Sequence, residues 1–81
     1  MEIKDTIEMM QSEDYKERFK AEFYQCKIRL EKLNGMLDKW DNGELNFTPK
    51  APKSLFISQK KAMAEYLTCL EIRASIDDIE L

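Results

Sequence analysis

Between residues 19 and 40 the apolar side chains recur with helical regularity. Phe19, Phe23, Cys26, Leu30, Leu33, Leu37 and Trp40 step 4, 3, 4, 3, 4, 3, a sustained a/d stripe of the kind that lays one helix face against a partner. The spacing predicts a helix over about residues 13–40, with Ser12 or Asp14 as its cap and Glu13, Asp14 and Glu17 near its positive end. A second periodic segment predicts a helix over about residues 54–79. Its apolar arc runs from Ile76 and Cys69 through Leu55 and Leu70 to Met63 and Leu67. The break between them, "DNGELNFTPKAPK" (41–53), holds Asn42-Gly43 and both prolines, Pro49 and Pro52, which push the residues before them out of helical geometry. Residues 1–11 are expected to form a separate short helical turn, since Asp5 and Glu8 have capping-box spacing.

Two long helices joined by one loop predict an all-α fold, an antiparallel hairpin over residues 12–81 with a long, proline-containing loop anchored by Phe47. Hinging the chain near Phe47 sets Cys26 opposite Cys69, Glu22 opposite Arg73 and Arg29 near Tyr66. On that register the two cysteines are core, and a Glu22–Arg73 ion pair fixes how the helices align.

Some positions do not suit a single seam. Gln59, Tyr66 and Arg73, seven apart, fall near the middle of the second helix's apolar face. Conversely, Tyr24 and Ile28, with Ala21 beside them, point nearly opposite the first helix's stripe, while Ile72, Ile76 and Ile79 widen the arc of the second. Burying each such side chain is worth roughly 1.5–3 kcal/mol, so a homo-oligomer built from symmetric dimers is expected.

Composition narrows the classes. A chain of 81 residues supports one thin core. Thirteen Lys and Arg against 16 Asp and Glu give a net charge of −3, which argues against a duplex-binding protein. No stretch approaches the ~20 apolar residues of a membrane span, and the acidic start "MEIKDTIEMMQSED" lacks a signal-peptide core. A cytosolic protein with reduced Cys26 and Cys69 is expected. There is no histidine, no glycine-rich phosphate loop and no nucleophile with a base, and Asp77, Asp78 and Glu80 read as a solvated end. Neither enzyme activity nor a metal or cofactor is expected.

Binding chemistry is better represented. Tyr15 and Arg18 sit one turn apart at the start of the first helix, Glu22 follows one turn later, and Arg29 shares their edge. Gln59, Tyr66 and Arg73 run beside that edge in an antiparallel hairpin. Tyr and Arg suit nucleotide recognition, by stacking on a base and by forking onto phosphate. Interface hydrogen bonds and ion pairs between subunits account for the same spacing.

The ordered set "DYKERFKAEFYQCKIRLEKLNGML", a loop bearing Phe47, then "LFISQKKAMAEYLTCLEIR" resembles a family of small phage-encoded helical hairpins from crAss-like and related bacteriophages. The shared positions are Tyr15, Arg18, Glu22, Lys32, Leu33, Phe47, Gln59, Ala62, Met63, Tyr66 and Arg73. In size and form that family is similar to the anti-defence sponges that counter CBASS and Thoeris, although this chain lacks the Gly-Tyr-Arg opening of the CBASS-antagonising group. The resemblance implies a non-enzymatic protein of the infected bacterial cytoplasm. It would sequester a nucleotide-derived immune signal, of cyclic oligonucleotide or cyclic ADP-ribose type, between subunits. Tyr15 and Tyr66 would stack on the base, Arg18 and Arg73 would neutralise phosphate, Gln59 would read ribose or base edges, and Glu22 would orient Arg73. The alternative is an oligomeric helical adaptor that binds a host or phage protein through Tyr24, Ile28 and the isoleucine face.

Overall fold

The computed structural model describes all 81 residues. It is entirely helical: a 3-10 turn (Ile3–Thr6), α1 (Ile7–Met10), α2 (Tyr15–Asp41) and α3 (Lys53–Ile76). Asp14 starts α2, its carboxylate accepting the Lys16 N–H at 2.9 Å and so satisfying a donor that a helix start leaves open. Ser12 acts one step earlier, its Oγ accepting the Asp14 N–H at 3.0 Å. In the N-terminal turn Asp5 accepts the Glu2 N–H at 2.8 Å, so the box lies three residues ahead of the Asp5–Glu8 pair that the spacing suggested.

The two long helices end alike. Gly43 (φ +70°) follows α2 in the left-handed region and lets the Glu44 N–H reach the Lys39 carbonyl at 2.8 Å. After α3, Asp78 (φ +55°) takes the same conformation, and the Ile79 N–H bonds the Ala74 carbonyl at 2.8 Å. This closure satisfies orphan carbonyls and turns the following apolar residue back onto the helix. Ile79 is therefore buried in the core rather than extending the outer isoleucine arc.

α2 and α3 run antiparallel. Trp40 meets Phe56 edge-on beside the loop, with ring centroids 6.0 Å apart; Cys26 meets the Met63 carbonyl midway; Tyr15 meets Arg73 at the far end. A Lys53–Asp41 ion pair closes the loop's base. Phe47 does not anchor the loop, being 54% exposed; Leu45, Pro49 and Ala51 are the half-buried residues there. Nor does the symmetric hinge describe the far half, where Glu22 meets Tyr66 rather than Arg73. Helical side chains differ in length and lean, so one hinge point does not set every pairing.

The core sits away from the loop. Phe19, Phe23 and Cys26 of α2 pack on Leu70 and Ala74 of α3 and on Ile79, with Tyr24 and Leu67 partly buried against them. Cys69 is exposed, a correction to its expected place opposite Cys26. The buried line of α3 runs through Met63, Leu67, Leu70 and Ala74, one residue after Ala62, Tyr66, Cys69 and Arg73. A shift of one residue turns a helix by about 100°, which carries Gln59, Tyr66 and Arg73 from the assumed midline out to solvent.

The N-terminal segment supplies what a two-helix reading lacked. Thr6 is fully buried against α2, its hydroxyl donating to the Ile3 carbonyl at 2.7 Å and accepting from Gln25 Nε2 at 2.9 Å. Ala21 and Ile28, on the same face as Gln25, are buried beneath this strap. The face that was expected to seek another molecule is covered by the protein's own first turns. The molecule measures 43 × 24 × 18 Å, and no helix is long and apolar enough to cross a membrane.

Candidate functional site

α2 carries a polar row immediately beside its apolar seam. Arg18, Glu22, Gln25 and Arg29 each precede by one residue Phe19, Phe23, Cys26 and Leu30. The helical turn therefore sets a wet stripe next to a dry one. The wet stripe forms one wall of an open groove of about 710 Å³. Gln59, Met63 and Tyr66 of α3 form the other wall, Met10 of α1 closes one end, and Ala21 and Cys26 contribute small side chains between them.

The charges in the groove are unevenly matched. Arg18 donates from Nη1 to the Ser12 carbonyl at 2.8 Å, and neither Arg18 nor Arg29 makes an ion pair. The carboxylate of Glu22 is engaged elsewhere, accepting the Tyr66 hydroxyl. That bond, reinforced by burial and by the negative charge of Glu22, pushes the Tyr66 phenol up to about 12. Burial, then the Glu22 charge, also pushes the Cys26 thiol up, so it remains protonated and a poor nucleophile. Gln59 spends its Nε2 only on the Met63 sulfur, at 3.7 Å, and its carbonyl oxygen accepts no hydrogen bond within the protein.

The Tyr66–Glu22 bond has a defined pH signature. Because the folded phenol titrates above its ordinary value of 10, its stabilisation is complete below pH 10 and is lost as pH rises through about 12. In an alkaline spectrophotometric titration, Tyr66→Phe should remove a phenol that ionises at about pH 12. Glu22→Gln should move that late step down toward 10. A curve unchanged by Glu22→Gln would mean the bond is absent in solution.

Four of the six residues picked from the sequence, Arg18, Glu22, Gln59 and Tyr66, thus share the groove. Tyr15 and Arg73 do not line it. They form an adjoining cluster at the far end, where Arg73 Nη2 donates to the Tyr15 hydroxyl at 3.2 Å and that hydroxyl donates to Asp77 at 3.4 Å. The guanidinium lies 4.9 Å from the centre of the Phe19 ring, a cation–π contact. The Tyr15 hydrogen bond, helped by the charges of Glu22 and Asp77, raises the Arg73 pKa above its usual value. The expected Glu22–Arg73 ion pair is not made, because each partner is taken by a tyrosine.

Gln25 was missed, and Arg29 was noted for sharing the edge and for lying near Tyr66, with which it lines the groove. The 4, 3, 4 spacing from Arg18 to Arg29 is the signal that identifies both. Met10 had no such signal, since a four-residue helix has no period to read. No curated protein and no solved structure matches the chain. A family model, Sequestin, does match, over residues 13–76. That span takes in α2, the loop and α3, and with them every groove residue except Met10; the chain belongs to the Sequestin family.

Proposed function

We propose that this protein captures a small anionic, nucleotide-derived signal in the α2–α3 groove and holds it without chemical change, as an anti-defence device of a phage. The family's name denotes sequestration, and the groove supplies the chemistry. The observation that carries the reading is the pair of guanidiniums, Arg18 and Arg29, left without carboxylate partners beside the exposed ring of Tyr66. Arginine forks onto phosphate, and a phenol ring offers a face to a base. The volume of about 710 Å³ is in the range of small-molecule sites. Gln59 reads ribose or base edges, and Glu22 fixes the orientation of Tyr66. Arg73, held by Tyr15, stands beyond one end of the groove and does not stack on the guest.

The role requires no turnover. The chain has no histidine, and the neighbouring Cys26 thiol is held protonated. The protein works by stoichiometry. Incubation with cyclic di- and trinucleotides and cyclic ADP-ribose-type products is the direct test. A ligand at a hundredfold excess over its Kd should add about 2.7 kcal/mol, which for a domain of this size raises the melting temperature by roughly 10 °C or more. It should be recovered intact after denaturation. No shift with any member of the panel overturns the reading, and recovery of an altered ligand overturns its non-enzymatic part.

A further inference from the structure

The groove has polar walls and one apolar end. Arg18, Glu22 and Arg29 come from α2 and Gln59 and Tyr66 from α3, but Met10 comes from α1, a separate helix of four residues. Its own element does little to hold Met10 there. Ile7 and Met10 are each 47% exposed, and Thr6 is the one buried residue of the 3-10 turn and α1 together. So short a segment has no helical stability of its own, and its place is set by its ties to α2.

Those ties lead to the groove. Before Met10 in the chain, the Thr6 hydroxyl accepts from Gln25 Nε2 at 2.9 Å. After Met10, the Ser12 carbonyl accepts from Arg18 Nη1 at 2.8 Å. Arg18 and Gln25 both line the groove. They are seven apart on one face of α2 and so about 10 Å apart along its axis. Residues 6–12 bridge that interval, with Met10 between the two anchors. The Ser12 N–H also bonds the Met9 carbonyl, at 3.3 Å, which closes the turn around Met10.

Covering Ala21 and Ile28 requires neither tie, since apolar contact is non-directional. Holding one side chain at a fixed depth requires directional bonds on either side of it. That is the arrangement found at Met10.

We propose that Met10 is the size-determining residue of the groove, and that Thr6 and Gln25 are positioning residues that hold it at the groove's end. The polar walls decide which guests are attracted, and the thioether decides how long a guest can be. An apolar stop beside Arg18 suits a guest whose phosphate meets the guanidinium and whose base edge meets the sulfur, because thioethers pack favourably on aromatic rings. This inference deepens the sequestration reading and rests on it for the chemistry of the guest.

Met10 is half exposed and outside the core, so replacing it should leave the fold intact. The test measures Kd for cyclic ADP-ribose, cyclic di-GMP and cyclic tri-adenylate with the parent protein, Met10→Ala and Met10→Trp. Met10→Ala should lower the Kd of the largest compound relative to the smallest by about tenfold, and Met10→Trp should raise that ratio by about as much. A substitution that acted only through stability would move every Kd together and leave the ratio unchanged. Thr6→Val keeps the shape of the buried side chain and removes both of its hydrogen bonds. It should shift the ratio in the same direction as Met10→Ala. In the parent, a bound guest that rests on Met10 should also slow hydrogen exchange at the amides of residues 9–12.

Binding with one Kd ratio across the parent and both Met10 variants overturns the proposal and spares the sequestration reading. A ratio that follows Met10 and ignores Thr6→Val supports the size limit and overturns the anchoring role. No binding of any of the three compounds to the parent or to either Met10 variant overturns the proposal and the sequestration reading together.

Discussion

Leu70→Ala should remove half or more of the protein's stability. Leu70 is 0% exposed and sits among Phe19, Phe23, Cys26, Ala74 and Ile79. Truncating a buried leucine costs about 2–5 kcal/mol, through lost transfer free energy and the cavity left behind. A chain of 81 residues has roughly 4–12 kcal/mol in total. With only 10 of the 81 residues buried, the low end applies, and the loss takes most of it. Urea unfolding checks this: the midpoint should fall by about half or more. Phe47→Ala, in the exposed loop, should change stability by no more than about 0.5 kcal/mol. If the two variants unfold alike, the core is not where the structure has it.

Removing both unpaired guanidiniums, with Arg18→Ala and Arg29→Ala together, should abolish capture while leaving the fold intact. A hydrogen bond to a charged group contributes about 1.5–3 kcal/mol, so each arginine is worth about tenfold or more in affinity. The pair together should cost at least about 100-fold. Both side chains are exposed and neither makes an ion pair; the one bond lost is that of Arg18 to the exposed Ser12 carbonyl, so the melting temperature without ligand should fall by no more than about 5 °C. Calorimetric titration with whichever signal stabilises the parent protein reads the effect. An unchanged Kd would mean that phosphate is not held in this groove.

How much of this was legible depended on how long and how unambiguous each pattern was. The α2 seam, from Phe19 to Trp40, repeats over seven positions and leaves only one face to bury. α3 is harder, because Leu55 precedes Phe56, Ala62 precedes Met63 and Cys69 precedes Leu70. Both members of each pair suit burial, so the arc was read one residue early and Gln59, Tyr66 and Arg73 were placed on its midline. That residues 1–11 form a short helical turn was legible, but its docking on α2 as a strap was not. Its turns are four residues each, and their place is decided by a tertiary contact, Thr6 with Gln25.

The C-terminal turn was missed for a related reason. Asp78 adopts φ +55°, a conformation that glycine advertises and aspartate does not. Within the groove, Arg18, Glu22, Gln59 and Tyr66 were found because their edges face each other in any antiparallel pairing. The partners of Glu22 and Arg73 were not, because they depend on a register that the loop length alone does not set.

The adjacency of the wet and dry rows on α2 has an evolutionary consequence. Exchanging Arg18, Glu22 or Arg29 alters what the molecule grips and leaves Phe19, Phe23, Cys26 and Leu30 undisturbed, whereas Gln25 is tied to Thr6. Inserting or deleting one residue among them turns everything beyond it by about 100° and drives charge into the interior. Under a changing target, such a protein is free to diversify by replacement while its helix length stays fixed.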